Sequence, residues 1–239
     1  MSPGFRRDEL RSRYDISAIS EDEWHEYSGY KTAEFITRYL SRTEVTSNLL
    51  LNAGAGVYEI QADSWSEISV DIFPTPLRNR QYAVCASIES LPFQAATFGA
   101  VVCVGEVLAY CDPAAAIAEC ARVLVPSGML ICDFGNSRSF RYWLRHSYGR
   151  AADLVTDYYN GAPGRIWVYD PAYVKSLLTS SGFVIKDALG THTWSALARR
   201  LGASVQLAIR LQRHLERLRL PPAWADLTTI VAERVLAAT

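Results

Sequence analysis

Leu49-Leu50-Leu51-Asn52-Ala53-Gly54-Ala55-Gly56 is the stretch on which the fold turns. A short apolar run ending in paired glycines reads as a buried strand whose last residue reaches the carboxyl edge of a parallel sheet. There, glycine lets backbone approach a bulky ligand without Cβ contact. Fifteen residues after Gly56, Asp71 stands within Val70-Asp71-Ile72. An acid ending the next strand can accept both hydroxyls of a ribose, and this spacing, more than the glycines, points to a nucleotide-cofactor site.

Outward from that stretch, strands alternate with helices. Trp24, Tyr27, Tyr30, Ala33, Phe35, Ile36, Tyr39 and Leu40 recur at helical spacing and predict one or two helices over 21–40. Strands are expected at 48–51, 68–72, 81–86, 98–104, 128–134, 183–187 and 226–235, and helices over 113–124 and 171–181. The link over 57–67 is short and poorly periodic, and Pro74 and Pro76 close the second strand. Leu197, Leu201, Val205, Ala208, Leu211, Leu215 and Leu218 form one face of a helical pattern over 194–220. Arg210, Arg213 and Arg217 lie opposite that face. Near-continuous apolar strands in βαβ alternation predict a doubly wound α/β sheet covered on both faces.

With 239 residues, 49% of them hydrophobic, the chain can bury one sizeable core. The division expected is a single domain: an N-terminal helical cap (1–47), a cofactor-binding core (48–135) and a substrate-side half with helical lid segments (136–239). Net charge is −1, from 24 basic and 25 acidic side chains, so no global field favours nucleic acid, and a small-molecule partner is expected. Cys85, Cys103, Cys111, Cys120 and Cys132 show no metal-ligand spacing and read as free thiols of a reducing cytoplasm. No stretch reaches the ~18 apolar residues of a membrane span, so no stable insertion is expected.

Taken together, Leu51 to Gly56, Val70-Asp71-Ile72, Leu91-Pro92-Phe93, Phe98-Gly99-Ala100-Val101-Val102 and Arg122 to Gly128 resemble, in order and spacing, the class I S-adenosylmethionine-dependent methyltransferases. The resemblance implies a seven-stranded, mostly parallel Rossmann-like sheet with an antiparallel last strand. The cofactor is then S-adenosyl-L-methionine, leaving as S-adenosyl-L-homocysteine. On this resemblance Asn52, Ala53, Gly54 and Gly56 line the methionine portion, Asp71 grips the ribose, and Ile72 flanks the adenine. Ser87 stands where relatives place an adenine-binding aspartate, with Ile88 beside it; Gly105 and Glu106 pass beneath the cofactor. Three positions depart from the family pattern: Asn52 replaces an acid, Tyr58 the third loop glycine, and Gly99 an aspartate. A nicotinamide dinucleotide reading fails because Glu59 stands where its third glycine is needed.

For the acceptor side, His192 and Glu106 are the candidate proton-transfer groups. Tyr27, Tyr30, Arg138, Tyr159 and Tyr169 are candidate substrate contacts. The expected activity is methylation of a small metabolite on oxygen, nitrogen or carbon. A noncatalytic cofactor-binding subunit and a protein or peptide methyltransferase remain as alternatives.

Overall fold

The structure, a computed structural model, describes residues 23–159, 162–218 and 220–235. Tyr14 and the first part of the expected cap lie outside the described residues.

The strands are β1 (Leu49–Ala53), β2 (Ser66–Asp71), β3 (Ala83–Cys85), β4 (Phe98–Cys103), β5 (Leu124–Gly135), β6 (Ala152–Tyr159), β7 (Ala162–Tyr169), β8 (Phe183–Thr191) and β9 (Leu227–Arg234). Seven form one sheet in the order β3-β2-β1-β4-β5-β9-β8, while β6 and β7 pair separately. β1 to β5 are mutually parallel, and β9 runs antiparallel to both β5 and β8. The strand order reverses between β1 and β4, which is the switch point where open α/β sheets bind ligands. In this register Gly54, Ile72 and Val104 follow the strand ends at a single edge, joined there by the ends of β5 and β8.

The helices are α1 (Glu23–Leu40), α2 (Pro113–Val123), α3 (Pro171–Ser180), α4 (Thr193–Arg200) and α5 (Val205–Leu215). Alternate residues of the central strands serve opposite faces. Leu50, Ala100, Val102, Met129, Ile131 and Val231 pack with Phe35, Ile36 and Leu40 of α1. Leu51, Val101, Cys103, Leu130 and Cys132 pack with Ile117, Cys120, Val174 and Leu178 of α2 and α3. Each such side chain, fully buried, contributes about 1.5–3 kcal/mol. α2 starts where the Asp112 carboxylate accepts from Ala114 and Ala115 N–H and Pro113 supplies its fixed φ. Asp170 and Pro171 open α3 in the same way.

Residues 54–65, between β1 and β2, contain no helix, and neither do 72–82 or 86–97. The short, irregular links read in the sequence are therefore bare crossovers, with Pro74 and Pro76 suppressing helix in the second. Two further features lie outside the expected pattern. Residues 152–159 and 162–169 pair as the antiparallel β6 and β7, strands that the sequence pattern does not predict. The 194–220 pattern breaks into α4 and α5 at Gly202, whose φ is +92°, and the helix ends at Leu215.

Candidate active site

At the end of β1 the backbone turns sharply, with Gly54 at φ +77° and Gly56 at +50°. The N–H groups of Gly54 and Ala55 both donate to the Val70 carbonyl, at 2.8 and 2.9 Å. Gly56 N–H donates to Asp71 Oδ2 at 2.9 Å, and Phe73 N–H to Oδ1 at 2.8 Å. Each Asp71 oxygen thus holds one backbone donor and keeps capacity for another. A Cβ on Gly56 or Gly105 would meet nothing within 4 Å, whereas one on Gly54 would lie 2.4 Å from Val107 Cγ2. Open space therefore adjoins Gly56 and Gly105, while the glycine at 54 is required by Val107. An extended ligand passing from Gly105 across Gly56 to Asp71 fits these residues.

The bare crossover after Gly56 is held by side chains. Arg80 donates to the carbonyls of Tyr58 (2.6 Å) and Gly56 (3.5 Å) and pairs with Glu67 at 3.3 Å. Glu67 also accepts from Ile60 N–H at 2.8 Å, Ser69 Oγ at 2.8 Å and Asn52 Nδ2 at 2.9 Å. Asn52 Nδ2 further donates to the Tyr58 carbonyl at 3.0 Å. Backbone groups that a helix would satisfy internally are thereby paired with a buried guanidinium and carboxylate.

A second acid does the same for the loop after β4. Asp133, on β5 and buried, accepts from Gly105 N–H (3.0 Å) and Glu106 N–H (2.8 Å). Burial raises its carboxyl from 3.8 to about 6, against the lowering effect of those two donors. Glu106 itself adopts a left-handed conformation, φ +59°, uncommon outside glycine. Its Oε1 lies 2.9 Å from the position a Cβ would take on Gly135, so the glycine ending β5 makes room for the carboxyl. Glu106 is part-buried as a whole residue, yet burial of its carboxyl is the main cause of a rise from 4.5 to about 8. Asp157, Asp133 and Asp226 push in the same direction, and Arg141 opposes them. The Arg141 guanidinium bridges Asp157 and Asp226, and the buried Tyr142 follows it.

Residues 51–132 match the family model described as a methyltransferase domain. Those residues carry the switch-point glycines, Asp71 and the β4 loop in the family's strand order. The core of the chain is thus similar to a methyltransferase domain, carried on a sheet of the class I order. The class uses S-adenosyl-L-methionine, and the open, acid-flanked edge described above suits that molecule. No curated protein matches the chain by sequence. Among solved structures, the PH0226 protein of Pyrococcus horikoshii OT3 is similar at a TM-score of 0.62 and 14% identity, over 98% of this chain and 100% of that one. The 1,6-didemethyltoxoflavin-N1-methyltransferase of Burkholderia thailandensis, solved with 1,6-didemethyltoxoflavin and S-adenosylhomocysteine, aligns at 0.55 and 15% over 99% and 93%. The cyclase SpnF aligns at 0.52 and 16% over 85% and 81%. These likenesses show the shared fold.

Within this domain Gly54, Gly56, Asp71, Gly105 and Glu106 come together at one edge. Ile72 is part-buried beside them. Asn52 is 5% exposed and Ala53 fully buried, so both support the edge from below. Ser87 Oγ accepts from Glu89 N–H at 3.2 Å and shapes its own turn, while Ile88 packs into the core. His192 follows the end of β8. Its ring stacks on Trp24 at 3.9 Å, with Nδ1 3.0 Å from Ser195 Oγ and Nε2 3.0 Å from the Trp24 carbonyl. With both ring nitrogens engaged, His192 joins α1 to α4.

The expected acceptor contacts do not converge. Tyr27 is buried at the α1–α5 interface, accepting from Gln212 at 3.3 Å. Tyr30 is 67% exposed. Arg138 pairs with Asp170 at 2.6 Å, and Tyr169 donates to the Leu108 carbonyl from within the core. Tyr159 ends β6, and its side chain lies outside the described residues. The sequence places Arg141, with Arg138 and Arg145, after the fifth strand at the rim of the site, but the reading missed Asp133, Asp157 and Asp226. Only Asp133 carried a signal, as a lone charge in the apolar run Leu130 to Phe134 that needs partners if buried.

Proposed function

We propose that the chain transfers a methyl group from S-adenosyl-L-methionine to a small-molecule acceptor at the edge between Gly56 and Gly105. The observation that carries this reading is the pair of acids flanking open space: Asp71 beside Gly56, and Glu106 beside Gly105. When bound, the cofactor supplies an already activated methyl group, so the protein's task is placement and exclusion of water. Asp71 offers its remaining lone pairs to ribose hydroxyls, and Gly56 and Gly105 admit the ligand without Cβ obstruction. Glu106 faces the acceptor side, where the β6–β7 hairpin and the Arg141 segment enclose it. With its carboxyl titrating at about 8, its deprotonated form is a stronger base than an ordinary glutamate and takes a proton from an acceptor N–H or O–H as pH rises through that value.

Glu106→Gln keeps the shape and removes the base. We expect turnover, read as S-adenosylhomocysteine release over a panel of amine, phenol and heterocyclic acceptors, to fall about a hundredfold. Wild-type kcat/KM should rise with pH through about 8, and the variant should lose that inflection. Unchanged turnover in the variant would remove Glu106 from the chemistry.

One observation favours a second reading, a cofactor-binding subunit without turnover: Val107 occupies the space directly over Gly54. Acceptor-dependent S-adenosylhomocysteine release by the wild type would reject it.

A further inference from the structure

The same sheet edge carries an apolar, basic surface that the proposed chemistry does not use. Arg141 and the buried Tyr142 adjoin the Glu106 carboxyl, and the next two residues leave the core abruptly. Trp143 is 46% exposed and Leu144 is 81% exposed, the latter held outward at φ +64°. Arg200 Nε donates to the Trp143 carbonyl at 3.4 Å, placing the end of α4 against this turn. Leu201 follows at 77% exposure, and Leu207 in the first turn of α5 at 50%. Leu201, a member of the leucine stripe read in the sequence, thus faces solvent.

Charge singles out the partner. Over residues 193–218 there are five arginines, Arg199, Arg200, Arg210, Arg213 and Arg217, against Glu216 alone, which is paired with Lys31. Arg145 is exposed beside Leu144. Among the described residues, Arg145, Arg199 and Arg200 form no ion pair. The overall charge of −1 therefore conceals a local basic field. Exposed Trp and Leu flanked by arginine is the composition of a surface that enters the headgroup region of an anionic bilayer. No helix among the described residues is long and apolar enough to span one.

We propose that Trp143, Leu144, Leu201 and Leu207, with Arg145, Arg199 and Arg200, dock the protein reversibly on an anionic lipid surface. Only Trp143 separates Tyr142, within electrostatic reach of Glu106, from the tip at Leu144, so docking turns the acceptor side of the site toward the bilayer. Only the orientation of the acceptor side rests on the reaction proposed above; docking itself does not.

The test is cosedimentation of the full chain with vesicles of phosphatidylcholine alone, or with about one third phosphatidylglycerol. The wild type should bind the anionic vesicles at low salt and release at high salt. Leu144→Asn with Leu201→Gln should weaken binding about tenfold or more; asparagine tolerates the left-handed backbone at 144. Replacing Arg145, Arg199 and Arg200 with glutamine should abolish the preference for anionic over neutral vesicles. S-adenosylhomocysteine affinity, measured alongside, should be unchanged in both variants, which shows that they are folded. Failure of the wild type to bind anionic vesicles would overturn the proposal. So would undiminished binding by the leucine variant, or a concentration-dependent dimer lost in that variant, which would assign the surface to a second copy of the chain.

Discussion

Two crossovers of the central sheet are built on opposite principles. Residues 54–65, which carry the glycines, form no helix, and polar side chains hold their backbone: Arg80, Glu67 and Asn52 pair with the groups of Gly56, Tyr58 and Ile60. Residues 104–123 end in α2, capped by Asp112 and packed into the core through Ile117 and Cys120. The first crossover depends on a few desolvated hydrogen bonds, the second on apolar area. A polar network of this kind fails when one member is removed, whereas a packed helix degrades gradually.

The contrast accounts for two of the three departures from the family pattern, and local packing for the third. Asn52 is a donor to both Glu67 and the Tyr58 carbonyl, and a carboxylate there could do neither. Without a helix packing on β1, no glycine is needed at 58, and Tyr58 points outward, 65% exposed. At Gly99 a Cβ would lie 2.0 Å from the Ser47 carbonyl oxygen and 2.9 Å from the Trp65 ring, so the aspartate of relatives cannot fit. The changes at 52 and 58 belong to the helix-free crossover, and the change at 99 to the Ser47 and Trp65 packing beside it.

The largest expected effect comes from breaking that network. Arg80 has a side-chain exposure of 7% and Glu67 of 18%, so Arg80→Ala strips the part-buried Glu67 of its buried countercharge and takes one donor from each of the Gly56 and Tyr58 carbonyls. We expect a loss of about 3–5 kcal/mol in denaturant unfolding. Restoring the family acid with Asn52→Asp should destabilise by about 1–3 kcal/mol rather than help, and a stabilised variant would refute the role given to Asn52. Arg122 offers the milder counterpart on α2. It donates to the carbonyls of Leu91 and Phe93 but is 37% exposed, and Arg122→Ala should cost about 1 kcal/mol.

The acids of the β4 loop add a pH dependence. Glu106 titrates near 4.5 when unfolded and about 8 when folded, so between those values the native state holds the extra proton. Stability therefore falls as pH rises from about 4.5 to about 8, and Asp133 acts in the same direction between 3.8 and about 6. Glu106→Gln should match the wild type at pH 4 and exceed it above pH 8, melting roughly 2–4 °C higher per kcal/mol recovered. A melting temperature equal to that of the wild type at both pH values would contradict the raised carboxyl.

The sheet was legible because its strands are apolar and spaced by turn residues, and the glycine edge because Gly54, Gly56 and Asp71 lie within one βαβ-length window. The β6–β7 hairpin was not, since Tyr158 to Tyr173 mixes glycine, proline and aromatics without a two-residue alternation. The Glu106 surroundings were hidden for a different reason. Asp157 and Asp226 meet Arg141 through tertiary packing across distant segments, and no local spacing announces that meeting. His192 stood out by residue type and by its place after the sixth strand, and no sequence pattern announces the contacts of its ring with Trp24 and Ser195.

The central claim is that the edge between Gly105 and Asp71 holds the methyl donor. Calorimetric titration with S-adenosylhomocysteine tests it most directly, comparing the wild type with Asp71→Asn, which retains an acceptor for one of the two loop N–H groups. We predict one site in the wild type, and affinity about tenfold or more weaker in the variant. Absence of binding in the wild type, or equal affinity in both proteins, would contradict the account.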